Sequence, residues 1–194
     1  MVVIETYIPG RSGCIPITTC SPHNFDLVKS YGAEQVYDYH DPASSVDQIK
    51  AYTGNALDYA LDCVCDAASM NFCYNAIGRF GGKYTALQPY QHLVEHLQNK
   101  RARRVKADWI LGSALFGKKI NWKEPYNVEA DPELRVFGEE WFRCAQRLLD
   151  RGEIRPHPVR VDSGDVTGFE GVLRGLEVLK SKGVSGEKLV YRIP

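Results

Sequence analysis

The chain has 194 residues, of which 44% are hydrophobic and 25% are charged, and 24 basic and 24 acidic side chains give a net charge of zero. This composition is typical of a globular protein with one core, or a core and a fragment of a second. Zero net charge argues against a nucleic-acid or membrane-surface partner. No apolar run reaches membrane length and no signal peptide is evident, which predicts a cytoplasmic protein.

Strand-like apolar runs alternate with helical patterns in the first half of the chain. Strands are predicted at residues 15–20, 35–39, 57–64 and 83–87. Helices are predicted at 24–31 and 67–77, and Ser44 or Ser45 is predicted to cap another that runs through Tyr52. Strands that alternate with helices of about ten residues predict βαβ units and a parallel sheet.

The pattern changes after Gln88. Residues 89–104 are predicted to form a polar surface loop, and residues 105–116 one or two strands. The run Asp131-Pro132-Glu133 predicts the start of a long helix, because it combines a capping carboxylate with proline at the first helical position. The remaining predicted elements are an extended segment at 157–161, an amphipathic helix at 169–179 and a strand at 188–193.

The six cysteines show no Cys-x-x-Cys pair, and several lie inside apolar runs, where cysteine behaves as a small hydrophobic residue. Cys63 and Cys65 would point to opposite faces of a strand, which is poor geometry for joint metal ligation. We therefore predict reduced, buried thiols, with a disulfide framework or a zinc cluster as the minor alternative. The residues are Cys14, Cys20, Cys63, Cys65, Cys73 and Cys144.

A small polar cluster, Ser21-Pro22-His23-Asn24, follows the first predicted strand. In dinucleotide-binding folds, a carboxylate at such a strand end accepts from the ribose 2′-hydroxyl of NAD. Here the first carboxylate is Asp26, and a hydroxyl, an imidazole and an amide at a helix N-terminus suit a 2′-phosphate better. The cluster therefore favours NADP(H) over NAD(H). The alternative is that Ser21 and Asn24 only cap the helix that follows.

Two further strand ends are candidate ligand contacts. Tyr39 follows the second predicted strand, where its ring could lie against an adenine or ribose, although packing alone would explain it. Leu87 and Gln88 follow the fourth strand. Because ligands bind at the carboxyl ends of parallel strands, topology places this pair near a nicotinamide, with a simple turn as the alternative.

Two other patterns are weaker. His92-Leu93-Val94-Glu95-His96 matches the inverted zincin motif, which needs a stable helix and a third ligand, so we interpret it as a chance match. A basic run could contact an acidic acyl carrier protein or a phosphopantetheine phosphate, although the pattern favours a solvated loop. This run comprises Lys100, Arg101, Arg103, Arg104 and Lys106.

Several segments together resemble the C-terminal part of the medium-chain dehydrogenase/reductase superfamily. More narrowly, they are similar to the fungal trans-acting enoyl reductases that work with polyketide synthases in secondary metabolism. The resemblance runs from about Ser12 to the C-terminus. The segments that carry it are IPITTCSPHNFDLVKSYGAEQVYDYHDP, YALDCV, GRFGGKYTALQP, DWILGSALFG and GVSGEKLVYRI.

The resemblance implies NADPH-dependent reduction of a carrier-bound α,β-unsaturated thioester, without zinc, and a polyketide synthase or acyl carrier protein as the partner. It implies cofactor contacts at Ser21, Pro22, His23, Asn24, Tyr39, Leu87, Gln88, Ser185 and Gly186. It implies substrate contacts at Gly112, Ser113, Ala114, Leu115 and Phe116. The catalytic residues are not assigned by it.

The same resemblance implies an α/β fold: an incomplete Rossmann-type parallel sheet with helices on both faces at residues 1–155, plus a remnant of a GroES-like catalytic domain at 156–194. The family's first strand, its Gly-rich phosphate loop and most of its catalytic domain have no counterpart here. We therefore expect a truncated product with weak or absent reductase activity on its own. The alternative is a non-catalytic or differently acting accessory protein of a polyketide pathway.

In the strand order 3-2-1-4-5-6, the absent first strand would lie between the strands that begin near Ile15 and Leu57. Residues 2–8 could fill this slot. Only about six residues separate them from Ile15, too few for a parallel crossover, so an antiparallel return is expected.

Overall fold

In the computed structural model, six strands form one sheet in the order β3-β2-β1-β4-β5-β6. The structure describes residues 2–4 (backbone only), 14–97, 104–162, 166–181 and 183–193. The strands of this sheet are β1 (Val2–Ile4), β2 (Ile17–Cys20), β3 (Gln35–Asp38), β4 (Tyr59–Asp62), β5 (Gly82–Ala86) and β6 (Val105–Trp109).

The first strand, β1, lies between β2 and β4 and runs antiparallel to both. Its residue Val3 lies opposite Thr18 of β2 on one side and Leu61 of β4 on the other. The other three strand pairs are parallel. The predicted parallel α/β sheet is thus confirmed, with β1 as its one antiparallel member, as the short connection to β2 requires. Residues 5–8 of the predicted filling segment lie outside the described residues.

The described helices follow the predicted alternation closely. None of them is both long and apolar enough to cross a membrane. In the part of the chain that carries the sheet they are α1 (Phe25–Ser30), α2 (Pro42–Tyr52), α3 (Ala67–Ala76) and α4 (Pro132–Asp150), with short 3-10 turns at Pro22–Asn24, Gln91–His96 and Gly112–Phe116.

The start of α2 corrects one prediction. Asp41 is the cap, since its carboxylate accepts from the Ser44 backbone N–H at 3.2 Å and Pro42 occupies the first helical position. The Ser45 hydroxyl instead donates to the Asp38 carbonyl oxygen at 2.6 Å, which ties the helix to the end of β3. A carboxylate followed by proline is a stronger start signal than a serine.

Two segments after β5 also differ from prediction. The segment expected to be a polar loop contains the 3-10 turn Gln91–His96, because the Leu93 side chain is buried in the core. The apolar run 105–116 forms only one strand, β6, and then the 3-10 turn Gly112–Phe116. An apolar run alone does not distinguish a second strand from a turn that packs against a helix.

The core lies where α2 and α3 pack on strands β2 to β5. Its largest fully buried side chains include Tyr84 of β5, Ile49 of α2 and Met70 of α3. Asp62, the last residue of β4, is also fully buried. Its carboxylate accepts hydrogen bonds from the Tyr84 hydroxyl at 2.9 Å and the Ser69 hydroxyl at 2.7 Å.

The burial of Tyr74 and Tyr84 predicts that the free energy of unfolding depends on pH in the alkaline range. Burial raises the pKa of Tyr74 to about 12 and, with the Asp62 carboxylate beside it, raises the pKa of Tyr84 further. Because the folded state favours the protonated phenols, their contribution to stability is complete below the ordinary tyrosine pKa and is lost as pH rises through the folded values. We expect the free energy of unfolding, measured with urea, to fall as the pH rises from about 10 toward about 12.

Tyr84→Phe is the matched variant for this titration, because it removes the ionisable hydroxyl and keeps the ring. Its stability is expected to be lower at neutral pH and to decline less steeply above about pH 10. A wild-type stability that stays constant across the alkaline range would contradict the prediction.

The long helix α4 is confirmed, and the Asp131 carboxylate caps it by accepting from the Glu133 and Leu134 backbone N–H groups at 3.0 Å. The apolar residues that share one face of α4 by helical spacing are only partly covered. Leu148 is buried, but Phe137 and Trp141 are about half exposed. Gly138 is the other buried position, because it lies against the Leu115 carbonyl oxygen, where a Cβ atom would come within 2.9 Å.

The described residues divide into two compact units, Met1–Glu153 and Ile154–Pro194. In the second unit, β7 (Val159–Val161) and β8 (Lys188–Val190) form a parallel pair and α5 (Gly168–Lys180) is the predicted helix. Its buried positions are Gly171 and Gly175, which lie against the Tyr191 ring. The apolar residues of its amphipathic pattern are mostly exposed, namely Phe169, Leu173, Leu176 and Leu179, whereas Val172 is partly buried.

All six cysteines are free thiols. The prediction that they are buried holds for Cys20 and Cys73, whereas the other four are only partly buried. Burial raises the pKa of the Cys73 thiol well above its ordinary value, so this residue is an unreactive part of the core.

Candidate functional site

The site begins where β2 and β3 end side by side. In the parallel register, Cys20 lies opposite Asp38, so the next residues, Ser21 and Tyr39, are also neighbours. The Ser21 Oγ and Tyr39 Oη atoms are 3.0 Å apart and form a hydrogen bond. The structure therefore brings together two predicted site residues that are 18 positions apart in sequence, and it places both hydroxyls at the carboxyl ends of β2 and β3, the edge at which parallel sheets of this kind bind ligands.

The turn after Ser21 carries the other three residues of the predicted cluster. Pro22, His23 and Asn24 form one 3-10 turn, in which the first two side chains are exposed and the third is partly buried. Neither Ser21 nor Asn24 makes a side-chain cap hydrogen bond. Ser21 and Asn24 nevertheless occupy the N-cap positions of the 3-10 turn and of α1, so their position agrees with the capping alternative although their side chains do not make the cap hydrogen bonds.

An acidic residue lies next to this hydroxyl pair. The Asp38 Oδ1 atom accepts from the His40 backbone N–H at 3.0 Å and lies 2.6 Å from His40 Nδ1. The backbone hydrogen bond, helped by the imidazole, lowers the pKa of Asp38 below its ordinary value. The His40 ring also stacks on the Tyr39 ring, with centroids 4.2 Å apart. Sequence analysis did not select Asp38 or His40 as site residues, although the polar run Asp38-Tyr39-His40 at the end of a strand was a usable signal.

Leu87 and Gln88 follow β5 and are exposed. The Leu87 backbone N–H donates to the Asp62 carbonyl oxygen at 3.1 Å, which fixes the pair beside the end of β4. The Tyr126 hydroxyl donates to Gln88 Oε1 at 3.0 Å. Tyr126 in turn contacts the Trp109 ring edge-on, with centroids 5.7 Å apart. Tyr126 was not predicted as a site residue, because it lies in an irregular segment whose sequence shows neither a helical nor a strand periodicity.

A surface cavity of about 500 Å³ lies between the 3-10 turn Gly112–Phe116 and helix α4. Three of the five predicted substrate-contact residues line it, whereas Ser113 and Ala114 do not. On the helix side, Glu139 forms ion pairs with Arg135 at 3.0 Å and Arg143 at 3.3 Å. The lining residues are Gly112, Leu115, Phe116, Arg135, Glu139, Phe142, Arg143 and Gln146.

The last two predicted cofactor contacts belong to the second compact unit. Ser185 is exposed, and Gly186 has a φ of 69°, in the left-handed region that glycine adopts without strain. Both lie immediately before β8 within that unit.

A family model described as zinc-binding dehydrogenase matches residues 12–122. The chain belongs to this family. The superfamily predicted from the sequence, the medium-chain dehydrogenases/reductases, is thereby confirmed, together with the similarity to fungal trans-enoyl reductases.

The curated relatives of this dehydrogenase-family chain include Trans-enoyl reductase FSL5 of Gibberella zeae, 52% identical over 183 residues, which covers 94% of this chain and 48% of that protein. Another is Trans-enoyl reductase pvhC of Talaromyces variabilis, 48% identical over 93% of this chain and 48% of that protein. The chain thus spans about half the length of the curated relatives it matches.

Solved structures with the same fold include an enoyl reductase cyclopropanase from the curacin A pathway, with a TM-score of 0.62 at 16% identity over 92% of this chain and 47% of that one. The JamJ enoyl reductase in its apo form has the same TM-score and coverage at 11% identity. At these identities, the likeness establishes the fold.

The family description mentions zinc, but within the described ranges no group of three or more His, Cys, Asp or Glu side chains could hold a metal ion. The His92–His96 motif forms a 3-10 turn rather than an α-helix, and His96 Nε2 lies 3.5 Å from Glu95 Oε1. The residues present therefore do not fit a zinc site. In the predicted basic run, Lys100, Arg101 and Arg103 lie outside the described residues.

Proposed function

We propose that this protein is an NADPH-dependent trans-enoyl reductase of a polyketide pathway, and that this chain holds the adenosine half of the cofactor. The observation that carries the proposal is the Ser21–Tyr39 hydroxyl pair at the ends of adjacent parallel strands. Hydroxyl groups donate to phosphate oxygens, and parallel-sheet domains bind nucleotides at this edge. The names of the relatives at 52% and 48% identity support the reaction class.

Each predicted residue has a defined role in this proposal. Ser21 and Tyr39 bind the 2′-phosphate with their hydroxyls, and the turn Pro22–Asn24, which follows Ser21 directly, adds the His23 imidazole and the Asn24 amide. Leu87 and Gln88 contact the nicotinamide end, with the Gln88 amide oriented by Tyr126. Ser185 and Gly186 make a further cofactor contact. When bound, NADPH supplies the hydride for the β-carbon of an α,β-unsaturated thioester.

The substrate side of the proposal uses the cavity beside Gly112–Phe116. Leu115, Phe116 and Phe142 give this cavity an apolar lining, which suits the acyl chain of a polyketide thioester. The partner is the polyketide synthase, or its acyl carrier protein, that presents the thioester in the cytoplasm. We also propose that residues 156–194 belong to the part of the protein that forms the catalytic domain in this family.

The test is nucleotide binding by the chain with Ser21→Ala and Tyr39→Phe. Each change removes one hydroxyl from the proposed phosphate site, so the dissociation constant for NADPH is expected to rise about tenfold, since a hydrogen bond to a charged group contributes about 1.5 kcal/mol. The constant for NADH is expected to change less than about twofold, because NADH lacks the phosphate. Isothermal titration calorimetry with both nucleotides measures the two constants.

Ser30→Ala is the matched control. Ser30 is an exposed serine at the end of α1, whose hydroxyl donates to the Leu27 carbonyl oxygen at 2.7 Å, so both constants are expected to stay at the wild-type values. Equal weakening for NADPH and NADH in Ser21→Ala would refute the assigned role. A wild-type chain that binds neither nucleotide would favour the accessory-protein alternative.

A further inference from the structure

Residues 119–129 form a loop that is closed at its base. Ile120 and Val128 make an antiparallel bridge, in which the backbone N–H of each donates to the carbonyl oxygen of the other, at 2.8 and 3.1 Å. Just outside this bridge, Lys119 Nζ pairs with Glu129 Oε1 at 2.7 Å. The two ends of the loop are therefore tied together by backbone hydrogen bonds as well as by charge.

The two aromatic side chains of this loop form a cluster with the last residue of β6. The Tyr126 ring contacts the Trp122 indole, with centroids 5.2 Å apart, and meets the Trp109 indole edge-on at 5.7 Å. Trp109 packs against the core, whereas Trp122 is 63% exposed. Because aromatic pairs of this geometry stabilise one another, the Tyr126 ring is held against a strand that belongs to the core.

The Tyr126 hydroxyl contacts one end of the Gln88 amide and leaves the other end for a ligand. It donates to Gln88 Oε1 at 3.0 Å. In the part of the chain that the structure describes, Gln88 Nε2 makes no hydrogen bond to another residue. A glutamine Nε2 group has two N–H donors and no acceptor, so the group that this exposed side chain has left suits a carbonyl oxygen.

We propose that Tyr126 is a positioning residue, which makes Gln88 a hydrogen-bond donor to the carbonyl oxygen of the nicotinamide carboxamide. With Oε1 engaged, the amide does not turn over, and its N–H groups are left for the ligand at the carboxyl end of β5. The contact also reduces the rotamer freedom that Gln88 would otherwise lose on binding. This inference deepens the proposed function and rests on it, since it takes the nicotinamide to bind beside Gln88.

The experiment compares NADPH with 2′-phospho-ADP-ribose, which lacks only the nicotinamide ring. Calorimetric titration of the full chain gives the ratio of the two affinities, in which the contribution of the adenosine site cancels. Tyr126→Phe keeps the ring and removes the hydroxyl, so it is expected to lower this ratio about fivefold, the equivalent of one hydrogen bond. Tyr59→Phe is the matched control, because Tyr59 is an exposed tyrosine at the start of β4, and the ratio is expected to stay at the wild-type value.

Two further measurements distinguish positioning from a loss of packing. Gln88→Leu is expected to lower the ratio by a similar factor, and adding Tyr126→Phe to it is expected to cause no further loss, because Tyr126 acts through Gln88. The 3-acetylpyridine analogue of NADPH keeps the carbonyl oxygen and has a methyl group in place of the amide nitrogen. Tyr126→Phe is therefore expected to weaken the binding of this analogue by the same factor as that of NADPH.

The opposite results overturn the inference while the adenosine site stands. They are an unchanged ratio in Tyr126→Phe, additive losses in the double variant, and an analogue whose affinity does not respond to Tyr126→Phe. A wild-type chain that binds NADPH no more tightly than 2′-phospho-ADP-ribose overturns it as well. A wild-type chain that binds neither nucleotide overturns the proposed function, and the inference with it.

Discussion

Asp62→Ala is expected to lower the free energy of unfolding by about 3–4 kcal/mol, because four donors lose their shared, fully buried acceptor. The fully buried carboxylate accepts from the Val64 and Cys65 backbone N–H groups, both at 2.9 Å, and from two hydroxyls, those of Ser69 and Tyr84. The two backbone N–H groups are part-buried, and unlike the hydroxyls they cannot rotate to find another partner. Urea unfolding monitored by circular dichroism measures the loss.

Two variants test whether the hydrogen bonds themselves are responsible. Asp62→Asn keeps one acceptor oxygen but places an NH₂ group against two hydroxyl donors, so about half of the loss is expected. Asp47→Ala removes an exposed carboxylate from the middle of α2 and is expected to change stability by less than about 0.5 kcal/mol. A loss below about 1 kcal/mol in Asp62→Ala would show that water replaces the carboxylate.

The same carboxylate connects the core to the ligand-binding edge. Val64 and Cys65 lie in the turn that follows β4, and Cys65 has a φ of 63°, a backbone conformation that non-glycine residues rarely adopt. The two backbone hydrogen bonds to Asp62 hold that turn in place. We therefore expect any Asp62 variant that still folds to bind NADPH more weakly as well.

Gly81→Ala is expected to cost more than about 3 kcal/mol. Gly81 has a φ of 91°, and a Cβ atom there would lie 2.2 Å from the Arg104 carbonyl oxygen. The left-handed backbone alone costs a side-chain-bearing residue about 1–2 kcal/mol, and the clash with backbone adds to it. The pairing of β5 with β6 begins at the next residues, Gly82 and Val105. To accommodate the alanine Cβ atom, the two strands must therefore move apart where their pairing starts.

Gly54→Ala separates the two costs. Gly54 also has a positive φ, of 60°, but a Cβ atom there meets nothing within 4 Å. We expect only the backbone cost of about 1 kcal/mol at this position. If thermal or urea unfolding gives the same loss for both alanine variants, the close approach to Arg104 contributes nothing and the prediction is wrong.

Local sequence patterns were sufficient to predict most of the strands and helices. The alternation of apolar runs with helical spacing located strands β2 to β5 and helices α1 to α3 to within a few residues, and Asp131-Pro132 marked the start of α4 directly. The cluster that follows Cys20 was visible as polar residues at the end of a strand. These features depend on residues close together in sequence, which is why periods of 2 and 3.6 residues and cap chemistry suffice to find them.

The sequence pattern did not determine how far the apolar faces of helices α4 and α5 are buried. Helical spacing located an apolar stripe on α4 and on α5, but in the structure Phe137 and Trp141 are about half exposed and Phe169 is largely so. An amphipathic period states which side of a helix is apolar, and only the arrangement of neighbouring elements decides whether that side is covered.

The sequence by itself determined the α/β class, the order of the elements and the strand ends at which a nucleotide site was predicted. Only the tertiary structure decided what meets there: the Ser21–Tyr39 bond, the Asp38–His40 pair beside it and the Tyr126 hydroxyl on Gln88, 38 residues away. The reason is that contacts between distant residues depend on strand register and on loop paths, which are set by the summed packing of the whole sheet rather than by any local pattern.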